Sequence, residues 1–174
     1  TDNTVKLGSS CWLKENLNID PASADNPACS GTKYCYDDTS SNCDTYGGLY
    51  KWTDMMCGDS ACNGTGESQP ACSTPVQGIC PSDWHIPSHY EMVALERSVC
   101  ASGTCATDFP YDESTTGYRG TDEGSRLAGN ANLWANGELD SEPDFGTSGL
   151  DILPGGVRTS AGTYTLLTYD AYLW

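Results

Sequence analysis

The sequence predicts an α+β domain with two short helices, an antiparallel sheet of short strands, and long loops held by disulfides. One segment carries a complete helix-start signal, strand-like alternation occurs near both ends of the chain, and polar, turn-rich stretches separate these regions. The length of 174 residues suits a single domain over 1–174. Residues 57–79, rich in Gly, Ser and Cys, are predicted to be an insertion loop stapled by disulfides.

The first part of the chain predicts one strand and one helix. Residues 4–17 begin with alternating apolar side chains and indicate a strand and its exit. Residues 18–45 contain several Asp-Pro, Asn-Pro and Ser-Gly pairs, which are typical of turns. In residues 46–56 the large apolar side chains recur every three or four positions. This spacing predicts a short amphipathic helix, which Gly47 and Gly48 weaken.

The clearest helix signal follows Pro87. Ser88 and Glu91 have the spacing of a capping box, in which the serine caps the helix and the glutamate reaches back to the capping residue. Apolar residues then recur with helical spacing to about residue 100. The sequence therefore predicts a helix that begins at residue 88 or 89.

The last third of the chain predicts loops followed by strands. Residues 101–148 are rich in Gly, Asp, Ser and Thr and indicate mostly loop. Residues 150–172 indicate β structure interrupted by Pro-Gly-Gly and Ala-Gly. Two strands are predicted here, at 163–168 and at 169–174.

The charge balance excludes two classes of partner. The chain has 24 acidic and 8 basic residues and a net charge of −16. Binding to nucleic acid or to anionic membrane surfaces needs clusters of Lys and Arg, so neither is predicted. No segment approaches the ~20 apolar residues of a transmembrane helix, so no membrane insertion is predicted for this chain.

The cysteine content predicts disulfides and a secreted or cell-surface location. Zinc sites usually contain cysteine pairs with two to four intervening residues, and only Cys57/Cys62 and Cys100/Cys105, each with four, come close. The two histidines are poorly placed to complete such a site, so disulfides are predicted instead. The ten cysteines, all predicted to be in disulfides, are Cys11, Cys29, Cys35, Cys43, Cys57, Cys62, Cys72, Cys80, Cys100 and Cys105.

Proximity in sequence favours particular pairs, although it does not determine the full connectivity. The short separations favour Cys35–Cys43 and Cys100–Cys105. At least one local pair is expected within the group Cys57, Cys62 and Cys72. A bridge between Cys11 and Cys80, each of which lies near a tryptophan, is a further hypothesis.

Five motifs occur in order along nearly the whole chain. They are CWLKENLN at 11–18, YGGLYKW at 46–52, CPSDWHIPS at 80–88, LPGGVR at 153–158 and YLW at 172–174. In this order and spacing they resemble the Fibrobacter succinogenes major paralogous domain family. The resemblance implies an extracytoplasmic bacterial domain with a fold similar to C-type lectin-like and formylglycine-generating-enzyme-like domains. Such folds have two helices, a twisted antiparallel sheet and long ligand-bearing loops.

The resemblance implies a scaffold but no activity, because one fold hosts many functions. Family members occur in adhesins, pilin-like proteins and surface-displayed repeats. Family domains usually continue past the final Tyr-Leu-Trp, so the C-terminal strands are expected to be absent from this sequence. An incomplete sheet has an unpaired edge, which is a template for strand addition.

The aromatic residues divide into predicted core residues and candidate ligand contacts. Four tryptophans lie in the family motifs and are predicted to pack in the core. Trp134 lies in a polar loop outside the motifs and is the main candidate for stacking against a ligand. The weaker candidates of the same kind are Tyr111, Tyr118 and Tyr164.

An acidic stretch suggests calcium as the one possible cofactor. Glu138, Asp140, Glu142 and Asp144 occupy every second position, so in an extended segment their carboxylates would point to one side. Calcium takes six to eight oxygen ligands and would relieve their repulsion. A solvated acidic loop is the competing interpretation.

These observations lead to two functional hypotheses. The first is an extracellular or cell-surface binding or adhesion module whose long loops, mainly 106–149, contact a protein or glycan ligand. The alternative is a structural subunit of an extracellular filament or pilus, in which residues 1–7 of one copy complete the sheet of another. Motifs for serine hydrolases, phosphate-binding loops and zinc proteases are missing from the sequence, so no enzyme activity and no catalytic residue is predicted.

Overall fold

The computed structural model describes residues 3–58, 75–112, 117–137 and 139–173. These residues form a small α+β domain of short helices and strands joined by long loops. The helices are α1 (Ser40–Tyr46), α2 (Trp52–Met55), α3 (His89–Val99), α4 (Cys105–Asp108) and α5 (Glu123–Leu127). The strands are β1 (Thr4–Leu7), β2 (Ser10–Leu13), β3 (Val157–Arg158) and β4 (Tyr164–Thr165). Across the described residues, every helix is too short or too polar to traverse a lipid bilayer.

The predicted strand at 4–17 is in fact a hairpin. β1 and β2 pair antiparallel, with Thr4 opposite Leu13 and Leu7 opposite Ser10. The turn between them contains Gly8, whose φ of +60° is accessible to glycine without the steric cost that other residues meet. The Gly-Ser pair therefore reverses the chain where the apolar alternation alone indicated one continuous strand.

Helix α3 confirms the helix predicted after Pro87. The Ser88 hydroxyl accepts a hydrogen bond from the Glu91 N–H at 3.2 Å, and the Glu91 carboxylate accepts one from the Ser88 N–H at 2.9 Å. Both halves of the predicted capping box are thus formed. Val93 and Leu95 are buried and fix the inward face of the helix.

The single helix predicted over 46–56 is wrong. Helix α1 ends at Tyr46, helix α2 begins at Trp52, and Gly47 and Gly48 lie between them. A Cβ atom on Gly47 would come within 2.6 Å of the Asn16 side chain, so this position requires glycine. The chain passes Asn16 at this point in a non-helical conformation, which interrupts the helix.

The C-terminal strands are shorter than predicted. Strands β3 and β4 pair antiparallel over two residues each. Leu166 and Thr168 adopt positive φ values of 64° and 70°, which end the extended conformation. The described residues therefore contain two separate two-stranded sheets, β1–β2 and β3–β4, instead of one larger antiparallel sheet.

Two apolar clusters form the core. The first contains Met55, Met56, Ile79, Cys80 and Ile86 and packs α2 against the 79–86 segment. The second joins α3, α5 and the chain after residue 149 through Leu95, Leu127 and Leu150. The hairpin covers the second cluster with Val5, Leu7 and Trp12. Because the clusters are small, the disulfides and polar contacts matter more for stability than in a domain with one large core.

Disulfides hold three of the long loops. Cys35–Cys43 and Cys100–Cys105 are bonded, which confirms both pairs that proximity predicted. Cys57 is bonded to Cys29, so it ties the start of the predicted 57–79 insertion to the loop before α1. Cys62 and Cys72, and with them the predicted local pair, lie outside the described residues.

The prediction that Cys11 and Cys80 are disulfide-bonded is wrong. Both are free thiols in the structure, and they do not bridge to each other. Cys11 is exposed on β2, whereas Cys80 is buried in the first apolar cluster. The even number of cysteines suggested complete pairing, but in the structure neither of these two thiols is bonded to another cysteine.

Removing the cap of α3 tests its contribution to stability. Ser88→Ala deletes the hydroxyl that accepts from the Glu91 N–H, and we expect the free energy of unfolding to fall by about 1 kcal/mol. Urea unfolding followed by circular dichroism measures this loss. Ser82→Ala is the matched control, because Ser82 is an exposed serine of the preceding loop. Equal stability of the two variants would show that the cap contributes nothing.

Candidate functional site

Residues of the five motifs line two cavities. The apolar cavity, of about 470 Å³, lies between the 11–17 segment and the 83–87 segment. The cationic cavity, of about 590 Å³, lies between the 48–52 segment and the 156–160 segment, with Tyr34 in its wall. Leu173 borders both cavities. The motifs are therefore distant in sequence but adjacent in the folded domain.

The Asn16 side chain holds three of these motifs together. Its amide nitrogen donates to the carbonyl of Tyr46 at 2.8 Å and to the carbonyl of Leu153 at 3.1 Å. Its amide oxygen accepts from the Leu153 N–H at 3.4 Å. The next residue adds a backbone contact, since the Leu17 carbonyl accepts from the Gly48 N–H at 2.8 Å. One side chain thus fixes the start of the segments that form both walls of the cationic cavity.

The apolar cavity is bordered by the hairpin on one side and by α3 on the other. Trp12 and Leu13 face it from β2, and Met92 and Leu95 face it from α3. This wall is therefore apolar, and the indole N–H of Trp12 is buried without a hydrogen-bond partner among the described residues.

A hydrogen-bonded histidine–glutamate pair lies at the border of the apolar cavity. His85 Nε2 and the Glu91 carboxylate are 2.8 Å apart. Burial opposes ionisation of Glu91, but hydrogen bonds from Ser88 and His85 outweigh it and lower the pKa of this carboxyl. Glu91 is therefore ionised at neutral pH and is already occupied by the helix cap.

The two free thiols border the same cavity. Cys11 and Cys80 both line it, although only Cys11 is exposed. Burial raises the pKa of the Cys80 thiol to about 11. At neutral pH Cys80 is a protonated, apolar wall residue, and Cys11 is the accessible thiol.

The cationic cavity has aromatic walls positioned by backbone contacts. The backbones of Tyr34 and Leu49 exchange hydrogen bonds of 2.9 and 2.8 Å, which brings Tyr34 beside the motif at 46–52. The Tyr50 hydroxyl donates to the Ile19 carbonyl at 2.8 Å, and burial raises the pKa of this phenol. Trp52, the first residue of α2, and Tyr172 complete the aromatic lining.

Two cations face this cavity. The Arg158 guanidinium lies over the Tyr34 ring, with Cζ 4.1 Å from the ring centroid. Lys51 Nζ is 5.9 Å from the same centroid. The Nε of Arg158 is buried without a hydrogen-bond partner among the described residues. The site therefore combines stacking surfaces with two positive charges.

Among the four aromatic residues predicted to contact ligand, Tyr164 lies beside the cationic cavity. Its ring is 5.6 Å from the Arg158 guanidinium and 5.3 Å from the ring of Tyr36. Its hydroxyl donates to Asp38 at 2.5 Å. Burial and the adjacent Asp38 carboxylate raise the pKa of Tyr164. Tyr164 supports Arg158 from outside the cavity and does not line it.

The other three predicted aromatic residues are elsewhere, and none lines either cavity. The indole N–H of Trp134 donates to the Gly129 carbonyl at 3.0 Å, and this half-buried ring holds its own loop. Tyr111 stacks on Tyr90 at 4.4 Å and under the Arg97 guanidinium at 3.8 Å. Tyr118 is fully exposed.

The predicted calcium ligands do not form the expected row. Residues 139–148 form successive turns, so the premise of an extended segment is wrong. Asp144 pairs with Arg126 at 2.5 Å, and Asp140 accepts from the Gly137 N–H at 2.9 Å. Glu142 is exposed, and Glu138 lies outside the described residues. Within the described ranges, no three His, Cys, Asp or Glu side chains come close enough to hold a metal ion.

Comparison with known proteins identifies the family. The model of the Fibrobacter succinogenes major domain matches residues 5–174. The chain belongs to this family. No curated protein and no solved structure matches the chain. The resemblance inferred from the five motifs is therefore confirmed, and it covers all five of them.

Within this Fibrobacter succinogenes major domain, the sequence prediction missed the residues that line the cationic cavity. Tyr34 lies outside the motifs, and Lys51 and Arg158 are inside them. The sequence signal for these cations was weak, because three of the five motifs contain one base each, namely Lys14, Lys51 and Arg158. The sequence alone does not show that the motifs at 46–52 and 153–158 lie side by side in the folded domain.

Thiol reactivity tests the arrangement at the apolar cavity. We expect a maleimide at pH 7 to modify Cys11 in the native protein and to leave Cys80 unmodified, since a thiol with a pKa of about 11 is almost entirely protonated. Peptide mass spectrometry locates the label. Cys11→Ser and Cys80→Ser are the paired controls. A Cys11–Cys80 disulfide, or equal labelling of both residues, would contradict this structure.

Proposed function

We propose that this family member is a secreted or cell-surface binding or adhesion module. The observation that carries the proposal is the cationic cavity, in which Tyr34, Trp52 and Tyr172 surround the two cations Lys51 and Arg158. Its volume of about 590 Å³ falls in the ~300–1,000 Å³ range of small-ligand sites. Aromatic rings with polar groups at the margin suit protein or glycan ligands, which offer both apolar faces and hydrogen-bonding groups.

The disulfides and the charge support the proposed location. Disulfides persist in oxidising compartments, and three are formed in the described residues. A net charge of −16 favours solubility and disfavours adsorption to nucleic acid. Both features suit a domain displayed outside the cytoplasm.

The ligand site is assigned to the cationic cavity in place of the 106–149 loops. In those loops Trp134 and Tyr111 are engaged by neighbouring groups of the domain. In the cationic cavity, by contrast, Tyr172 is 54% exposed, and Lys51 and Arg158 line the wall without a salt bridge to a carboxylate in the described part of the chain. Charged groups without a partner in the fold are available to a ligand of opposite charge.

The proposed scaffold is C-type lectin-like. Family membership supports this assignment, and so do the short helices early in the chain and the capped helix α3. The chain also returns to the motif at 11–18, where the Leu153 carbonyl accepts a hydrogen bond from Asn16. The proposed activity is binding without catalysis, since the cavity offers rings, cations and hydroxyls. This set holds a ligand but lacks a nucleophile paired with a base.

A second candidate function is a structural subunit of a filament or pilus. The observation that favours it is that each described sheet has two strands, so their outer edges have no strand neighbour among the described residues. Residues Thr4–Leu7 already pair with β2 in the same chain, which leaves them poorly suited to complete another copy. A strand added at the outer edge of β2 is the mode of assembly that fits this arrangement.

A matched pair of tyrosine variants tests the binding proposal. Tyr172 lines the cationic cavity, whereas Tyr169 is 66% exposed and lines neither cavity. The wild-type chain is screened against immobilised oligosaccharides and extracellular proteins. We expect Tyr172→Ala to weaken binding of the ligand found about fivefold, because one stacking contact is lost. Tyr169→Ala should leave the affinity unchanged.

Two outcomes would count against the binding module. One is the absence of binding across the screen, and the other is equal loss of affinity in both variants. Light scattering over a range of protein concentrations, together with negative-stain electron microscopy, tests the second function. Regular fibres would support the filament subunit, and a monomer at every concentration would contradict it.

A further inference from the structure

We infer that the cationic cavity recognises an acidic sugar, a pyranose that carries a carboxylate, through Arg158 and Lys51. The inference rests on the proposed function and adds the chemical class of the ligand. The structural basis is the convergence of two cations on one aromatic cavity in a strongly acidic protein.

Few of the eight basic residues form salt bridges with carboxylates among the described residues, and Lys6, Lys14, Lys33 and Arg97 form none there. The cavity is distinct because two cations without such a partner line it together. Arg119 pairs with Glu96 at 2.6 Å, and Arg126 pairs with Asp122 at 2.8 Å. In the described part of the chain, neither Lys51 nor Arg158 forms a salt bridge with a carboxylate.

The nearby acid Asp38 does not neutralise the cavity. Its carboxylate accepts the hydroxyl of Tyr164, and among the described residues it forms no salt bridge with Arg158 or Lys51. Asp38 also lies outside the cavity lining. The positive charge that faces the cavity is therefore available to an anionic ligand.

The geometry of Arg158 suits a carboxylate. The Arg158 guanidinium lies over the Tyr34 ring, with Cζ 4.1 Å from the ring centroid, and it lines the cavity. A guanidinium carries five N–H donors in a planar fork, and a carboxylate accepts two parallel hydrogen bonds from such a fork. Lys51 adds a second positive charge, with Nζ 5.9 Å from the Tyr34 ring centroid.

The remaining wall suits the sugar ring that carries the acid. Trp52 and Tyr172 offer ring faces for the C–H face of a pyranose, and Ser160 offers a hydroxyl for one of its hydroxyl groups. An acidic peptide provides the carboxylate but lacks a rigid, hydroxylated ring. The combination of cations, rings and hydroxyls therefore favours an acidic sugar over an acidic peptide, and recognition of the carboxylate requires no metal ion.

A pair of oligosaccharides that differ only at the carboxylate tests the inference. The probes are trigalacturonate and its carboxyl-reduced, neutral counterpart, with affinities measured by isothermal titration calorimetry. We expect trigalacturonate to bind at least about tenfold more tightly, since charge-assisted hydrogen bonds to Arg158 are lost with the neutral probe. Arg158→Gln should remove this preference.

Matched variants separate local recognition from a general change in charge. Lys51→Gln should weaken trigalacturonate binding with little effect on the neutral probe. Lys6→Gln makes the same change of charge on the exposed face of β1, outside both cavities, and should have no effect. Arg158→Lys keeps the charge but loses the planar edge, so we expect it to restore only part of the preference. Unfolding temperatures confirm that each variant is folded.

The possible failures are distinguishable. If the two oligosaccharides bound the wild type with equal affinity and lost that affinity in Tyr172→Ala, this result would overturn the acidic-sugar inference and leave the binding proposal intact. Binding of hexaglutamate but not of trigalacturonate, lost in Arg158→Gln, would replace the sugar with an acidic peptide. If a probe bound Arg158→Gln and Tyr172→Ala with the same affinity as the wild type, the assignment of the ligand site to this cavity would be overturned.

Discussion

The amide side chain of Asn16 is the contact on which the arrangement of both cavities depends. It joins the segment after β2 to Tyr46 and to Leu153, which are distant in sequence and close in space. From Tyr46 the chain continues into one wall of the cationic cavity, and from Leu153 it continues into the other. Asn16 itself borders the apolar cavity. Gly47 follows from the same constraint, because only a residue without a Cβ passes Asn16 at this distance.

The electrostatics of the domain operate at two ranges. At long range the net charge of −16 repels anions, although salt screens this field over about 8 Å at physiological ionic strength. At contact range Lys51 and Arg158 face the cavity, and the charge of Arg158 is screened less because its side chain is partly buried. A domain of this kind excludes general polyanion binding while it retains one local site for a carboxylate. The ability of this domain to bind an anion therefore depends on where its few cations lie and not on how many there are.

Local sequence signals predicted local structure correctly. The capping box of Ser88 and Glu91 needs only neighbours within one helical turn, and the disulfides with short separations need only a short loop. The helix predicted over 46–56 failed because the conformation of Gly47 is dictated by Asn16, a contact that no periodicity contains. The orientation of Trp134 was unpredictable for a similar reason, since the Gly129 carbonyl that accepts from its N–H is set by the fold of the loop. The cationic cavity was missed because Lys51 and Arg158 meet only when the motifs assemble.

Unfolding of an Asn16 variant tests this account most directly. Asn16→Ala removes three hydrogen bonds and leaves the carbonyls of Tyr46 and Leu153 without this partner. We expect urea unfolding to show a loss of about 3 kcal/mol. Asn132→Ala, at an exposed asparagine, should stay within about 0.5 kcal/mol of the wild type. If Asn16→Ala were as stable as Asn132→Ala, the motifs would be held together by other contacts and the central role of Asn16 would be contradicted.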